Sequence, residues 1–276
     1  MRRSPALEAL RFVFLLLVTI FVLAPLVVVL LASITPDEVL TSLVPKGFTT
    51  QWISQALDYE PFRVGIVYSA QVAALATVIA LLLGTPAAYA LARTRVPGAG
   101  LLRSVFVAPL SLPRVVAGFC FFALYVSLLP SAYGTVGGVA FAHVLLLLPF
   151  VVALVGAGLA GSDPALEEAA RDLGASPLQA FFKVTLPQIR MPLLIAGVFS
   201  FLTSFDEVDL SIFLMPADTT TLPVAIFLRL QQDQDPTTSA VSSLMIVASL
   251  VIALLTGLAV RRAGLWRTGR TEGTGE

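Results

Sequence analysis

Three carboxylates stand where lipid is expected. The stretch FLTSFDEVDLSIFL (201–214) sets Asp206, Glu207 and Asp209 among apolar residues. An ionised Asp near the centre of a membrane span costs ~2.5–3.5 kcal/mol on insertion scales, so such acids usually face a cavity or a partner. Two readings fit: the acids line a path selective for cations, or they hydrate and cap the outer end of a helix. At ~1.5 Å per residue, Asp206 would lie ~24 Å along a helix from Arg190, toward the outer side of a ~30 Å hydrocarbon core. On that helix Asp206 and Asp209 share a face, and Glu207 points about 100° away. Arg114, just after Pro113 in another apolar run, is the matching anomaly. It either pairs with one of the acids across a bundle or reaches back to the headgroups along its aliphatic stem.

A second stretch, EEAARDLGASPLQAFFKVTLPQ (167–188), concentrates charge in an otherwise apolar chain. Asp163 followed by Pro164 is a helix N-cap with proline at the first helical position. Glu167 and Glu168 fall where the helix dipole favours carboxylates, and Glu167 can pair with Arg171 at i, i+4. Leu166, Ala169, Ala170 and Leu173 share the apolar face. Gly174 suits the left-handed residue that ends a helix. Ser176-Pro177-Leu178-Gln179 then reads as a capping box opening a second helix, with Leu178, Phe181 and Phe182 as its apolar face and Pro187 at its end. The segment is a helix-turn-helix knob, and about thirty residues is far more than the ~2–8 that a simple helix connection needs.

The elements that must carry these residues follow from hydropathy. Apolar residues make up 57% of the chain and charged residues 12%, against about 25% charged in a soluble domain. A spanning helix takes ~20 apolar residues, and six such windows lie near 12–34, 64–91, 104–129, 135–160, 191–214 and 239–260. The expected class is therefore an all-α membrane protein without a sizeable soluble domain. The first window is too long for the ~7–15-residue core of a secretory signal and reads as a retained anchor. Thirteen Lys and Arg fall before, between and after the spans on one side, against Lys46, Arg63 and Arg229 on the other. Positive residues stay cytoplasmic, so both termini and the 161–189 loop are expected there. The expected organisation is a cytoplasmic N-terminus (1–11), a membrane domain (12–260) and a disordered tail (261–276).

Smaller features carry less. Pro109 and Pro113 free backbone carbonyls in the third window, as in broken transporter helices. Trp52, Tyr59 and Phe62 in the outer loop 35–63 suit the membrane interface. His143 is expected to be a hydrogen-bonded structural residue. The single cysteine, Cys120, lies inside an apolar run, and no metal-ligand cluster is evident. Gly134 and Gly138 form a G-x-x-x-G too short to name an interface. A phosphate-cradling loop needs Gly before Lys, and the only lysines, Lys46 and Lys183, follow Pro45 and Phe182. No nucleotide site is expected in this chain, nor nucleic-acid binding.

The run EAARDLGASPLQAFFKVTLP resembles the EAA loop of binding-protein-dependent ABC transporter permeases. Glu168, Ala169, Ala170, Gly174, Leu186 and Pro187 stand at that pattern's spacing, with Val184 in place of its isoleucine. The resemblance implies a type I importer permease of six transmembrane helices in a prokaryotic inner membrane. In that reading the loop sits in a cleft of a cytoplasmic ABC ATPase dimer, which binds ATP and Mg. A second homologous permease chain and an extracytoplasmic solute-binding protein complete the assembly. Over most of the chain, SFDEVDLSIFL and TLPVAIFLRLQ resemble the spermidine/putrescine type, while permeases for aminoethylphosphonate or ferric iron are similar too. Asp206, Glu207, Asp209 and Arg114 are then candidates for the substrate path. An ion-coupled carrier or channel is the alternative from another class, and would show acids in more than one helix or inverted repeats.

Overall fold

The computed structural model describes residues 5–37, 47–94, 97–216, 219–232 and 235–268, with side chains from residue 8 to residue 262. The expected disordered tail begins at Arg261, but helix persists to Thr268, and 269–276 lie outside the described residues. Lys46 also lies outside them.

Among the described residues every regular element is helical. In chain order they are α1 (Pro5–Ala32), α2 (Gln51–Asp58), α3 (Glu60–Arg93), α4 (Ala99–Val107), α5 (Arg114–Leu128), α6 (Val136–Ala160), α7 (Pro164–Asp172), α8 (Pro177–Ala180), α9 (Leu186–Gln188), α10 (Arg190–Phe205), α11 (Ser211–Leu214), α12 (Leu222–Gln232) and α13 (Pro236–Thr268). Four of them, α1, α3, α6 and α13, are long and apolar enough to cross a membrane. Two further candidates are bent pairs: Ala99–Ser111 with Arg114–Leu128 at 98°, and Pro177–Gln188 with Arg190–Phe205 at 74°.

The expected third and fifth spans are therefore not continuous helices. In the third, a 3-10 turn at Ala108–Ser111 and an extended Leu112 separate α4 from α5. Pro109 and Pro113 account for it, since a proline clashes with the carbonyl four residues back and drives its predecessor out of helical geometry. With 15 residues, α5 reaches only ~22 Å, short of the ~30 Å core. The fifth stops at Phe205 and resumes as α11, leaving 206–210 as a turn.

The chain divides into two compact units. The first comprises 1–63 and 226–248. Within it Ser243 Oγ donates to the Val29 carbonyl, and Trp52 Nε1 donates to the Thr35 carbonyl at 2.8 Å. Trp52 on α2 and Phe62 in the first turn of α3 are both buried. Arg229 pairs with Asp235 at 2.7 Å and lies 5.1 Å above the Tyr59 ring.

The second unit, 64–225 and 249–276, holds the core. Its axis is α6, where Leu147, Val151, Val155 and Leu159 recur every fourth residue and are fully buried. Such a ridge fits the groove of a neighbouring helix, here α10. The approach is close enough that a Cβ on Gly158 would lie 2.4 Å from Pro192 Cγ. Gly158→Val is therefore expected to lower the stability of the detergent-solubilised protein by ~1–3 kcal/mol. Thermal unfolding would read this, and an unchanged midpoint would contradict the packing.

Candidate functional site

The 161–189 loop is built from local signals. Asp163 Oδ1 accepts from the Ala165 N–H at 2.9 Å, with Pro164 next in line. After α7, Gly174 takes φ +90, the Gly174 N–H bonds Arg171 O at 2.9 Å, and the Ala175 N–H bonds Ala170 O at 3.0 Å. This paired closure is the Schellman motif, and it needs the left-handed residue that glycine supplies. Ser176 and Gln179 cap each other reciprocally at 3.0 and 3.3 Å. From Pro177 the helix continues to Gln188, one residue past Pro187, through a π-helical turn at Phe181–Thr185. The wider turn accommodates Pro187, which has no N–H to give and would crowd Lys183 O.

The two faces of this knob differ sharply. Leu166, Leu173, Leu178 and Phe182 are 52%, 90%, 71% and 59% exposed. Glu168, Ala169, Gly174 and Pro187 are exposed as well, whereas Ala170 and Leu186 are half-buried. The inward residue is Glu167, a carboxylate only 6% exposed. Tyr89 Oη on α3 donates to its Oε1, Thr185 Oγ1 in the π turn donates to Oε2 at 2.6 Å, and Arg171 Nη2 stands 3.3 Å from Oε1. Beside it Arg93 Nη2 donates to the Ser162 carbonyl at 3.1 Å. Burial pushes the Glu167 carboxyl up. The Thr185 and Tyr89 hydrogen bonds, with the Arg171 and Arg93 charges, outweigh that and hold it below the ordinary carboxylate range.

The intramembrane acids separate in the same way. Because α10 ends at Phe205, Asp206 and Asp209 do not share a helix face; both sit on the turn and are exposed. Neither makes an ion pair among the described residues. Glu207 turns inward, its side chain 0% exposed, and takes Arg114 Nη1 on Oε2 at 2.7 Å and the Leu210 N–H on Oε1 at 3.1 Å. Arg114, the first residue of α5, stays 46% exposed in its side chain and covers the acid. Of the two fates the sequence left open for Arg114, the structure has the pair across helices.

His143 on α6 fixes the turn from both ends. Its Nδ1 is 2.7 Å from Ser204 Oγ at the end of α10, and its Nε2 is 2.9 Å from Ser211 Oγ at the start of α11. Gly118 admits the returning chain: a Cβ there would meet the Leu210 carbonyl oxygen at 2.9 Å. Gly134 and Gly138 belong to a tight connection, with Gly134 at φ +72 and a Gly138 Cβ only 2.1 Å from Ala132 O. Among the described residues no His, Cys, Asp and Glu cluster could hold a metal, and Cys120 is a free, exposed thiol.

Sequence reasoning singled out Glu168 and passed over Tyr89, Thr185, Arg93 and Ser162. The adjacent Glu167 and Glu168 point ~100° apart on a helix, which allowed one of them to face inward without saying which. That was the available signal.

Comparison with known proteins places these features in context. Residues 80–264 match the family described as "Binding-protein-dependent transport system inner membrane component". The putrescine transport system permease protein PotI of Escherichia coli K12 is 31% identical over 260 residues, covering 92% of this chain and 91% of that one. The spermidine/putrescine transport system permease protein PotC of the same strain is 31% identical over 225 residues, covering 81% and 84%. A bacterial ABC transporter that imports the acidic polysaccharide alginate superimposes with TM-score 0.70 at 19% identity, over 95% of this chain and 99% of that one, and shares the fold.

Two outcomes follow from the geometry. Arg114→Ala and Glu207→Ala each strand a partner, so the double variant should lose ~1–3 kcal/mol less than the sum of the singles. Additive unfolding midpoints would dispose of the pair. A carboxyl depressed in the folded state contributes stability above its unfolded pKa and loses it as pH falls through the folded one. Hydrogen-exchange protection in α7, corrected for the intrinsic pH dependence of amide exchange, should thus stay flat through neutral pH and fall only as pH drops through and below the ordinary carboxylate range. Glu167→Gln should abolish that acid-side fall.

Proposed function

The chain belongs to the family of binding-protein-dependent transport system inner membrane components, and on that premise we propose that it is one of two permease chains of an ATP-driven polyamine importer. In this reading α4 with α5 counts as one span and α10 with its turn and α11 as another, which with α1, α3, α6 and α13 gives six. The distribution of Lys and Arg puts both termini and the 161–189 loop in the cytoplasm. The Gly-Lys element of a phosphate loop is missing from the sequence, so ATP and Mg belong to a partner ATPase dimer.

The observation that carries the reading is the exposed apolar face of the knob. Leu166, Leu173, Leu178 and Phe182 are all exposed on a segment rich in charge. Large apolar side chains grouped on a water-facing surface mark a protein contact. Docking of the ATPases there, with different contacts in open and closed nucleotide states, supplies the differential binding that a coupled transporter requires. The substrate class is supported by the relatives PotI and PotC and by Asp206 and Asp209, two exposed carboxylates suited to a polycation. In the apolar window of α1 no residue is buried within the chain, which leaves that helix for lipid or for the second permease chain. A secreted solute-binding protein delivers the polyamine.

Gly174→Asp forces a side chain into left-handed backbone, at ~1–2 kcal/mol, and Glu168→Lys reverses an exposed charge. Both variants should reach the membrane at normal levels yet abolish uptake and stimulation of the ATPase. Uptake at the native rate by both variants, or transport by the chain alone in liposomes under an ion gradient, would refute the assignment. Asp206→Asn with Asp209→Asn should lower kcat/KM for polyamine uptake about tenfold or more, while the ATPases still dock.

A further inference from the structure

A cavity of about 470 Å³ opens in the second unit between α3, α4 and α6. That volume lies within the range of small-molecule sites, and nothing in the transport reading uses it. Its wall is mainly apolar, formed by Leu91, Phe106, Val107, Val152 and Leu159 among others. Two arginines, Arg93 and Arg103, also line it, and no acid does.

Neither arginine forms an ion pair among the described residues, although the Arg93 charge acts on Glu167. Arg93 is committed through Nη2 to Ser162, but its Nε is buried and has no partner. Arg103 makes one long bond, Nη2 to the Leu91 carbonyl at 3.4 Å, and no ion pair among the described residues. Arginine matches a phosphate with a planar fork of donors, and two arginines lining one cavity suit a phosphodiester. An apolar trough in the same cavity suits a hydrocarbon chain. A soluble phosphate compound would leave the trough wet, whereas a membrane amphiphile satisfies both halves. Basic pockets between transmembrane helices on the cytoplasmic side are where anionic headgroups bind.

We propose that this cavity holds one anionic phospholipid, its phosphate on Arg93 and Arg103 and an acyl chain along α6. The 98° break between Ala99–Ser111 and Arg114–Leu128 turns α4 aside and leaves the space. Arg93 also anchors Ser162, at the start of the 161–189 loop. The lipid therefore sits beside the attachment of the docking knob, where it would tune how firmly that loop is held. The proposal does not depend on the transport reading, because its readout is bound lipid rather than uptake.

Gly156 provides the decisive variant. It lines the cavity, and a Cβ there would meet nothing within 4 Å. Gly156→Leu therefore fills the trough while both guanidiniums remain. The test is native mass spectrometry of the purified transporter assembly from nanodiscs of phosphatidylcholine with graded phosphatidylglycerol. The wild-type protein should retain phosphatidylglycerol about tenfold above its share of the bilayer. Arg103→Gln and Gly156→Leu should each lower that enrichment by about fivefold or more, and Arg103→Lys should keep most of it. Unfolding midpoints near wild type identify the variants as folded. Three results would overturn the site: retention of phosphatidylcholine equal to phosphatidylglycerol, loss in Arg103→Gln with none in Gly156→Leu, or displacement of the lipid by soluble glycerol phosphate at comparable concentration.

Discussion

The bond between Arg114 and Glu207 sets the conditions for the membrane-embedded half of this chain. A carboxylate with no exposed surface persists in such surroundings only when a cation and a further donor are brought to it. Each requirement is met by interrupting a helix. To place Arg114, α5 must begin at that residue, which the extended backbone at Leu112 and Pro113 enforces. To place Glu207 and the Leu210 N–H together, α10 must end at Phe205 and turn. His143 holds both edges of that turn through two serines, and the missing Cβ of Gly118 leaves room for its return. Two irregular spans thus share one cause.

The same division of labour recurs in the 161–189 loop. Glu167 and Glu168 are neighbours, as are Asp206 and Glu207, and in each pair one acid is buried among donors while the other faces out. The buried member has its charge matched locally by arginine and by hydroxyl or amide hydrogens, so it builds the fold. The outer member keeps its charge available. This economy explains how a chain with only 12% charged residues presents exposed carboxylates at Glu168 and Asp206 while Glu167 and Glu207 stay paired inside.

Much of this was legible in advance, and the limit is one of range along the chain. The caps at Asp163 and Ser176 and the left-handed Gly174 involve residues at most five apart, and they form as their sequence dictates. The long spans α1, α3, α6 and α13 follow from hydropathy, which is also local. The prolines of the third window announced an interruption but not its size, since the angle depends on where Arg114 finds Glu207, 93 positions away. Glu167 read as a surface partner of Arg171 because that contact is i, i+4. Of its hydroxyl donors, Thr185 lies 18 residues on and Tyr89 78 residues earlier, and nothing near Glu167 in the sequence points to either. Trp52 is likewise buried with its Nε1 on the Thr35 carbonyl, a partner 17 residues earlier that its type does not announce.

The buried glutamate also constrains how the loop can move. The α8–α9 helix leads directly into α10 through the bend at Ile189, and α10 ends at the turn that carries Glu207. Thr185 ties that helix to Glu167, and Glu167 ties α7 to Tyr89 near the end of α3. Displacing α7 alone would strip the carboxylate of its hydroxyl donors while it is still buried, at a cost of a few kcal/mol. Displacing α7, α8–α9 and the end of α3 together leaves every one of those bonds intact. A partner that grips the exposed apolar side of the knob therefore has a rigid object to move, and the cheapest response shifts the start of α10 with it. The flexibility needed to absorb such a shift is found at the two breaks, where helical hydrogen bonds are already missing.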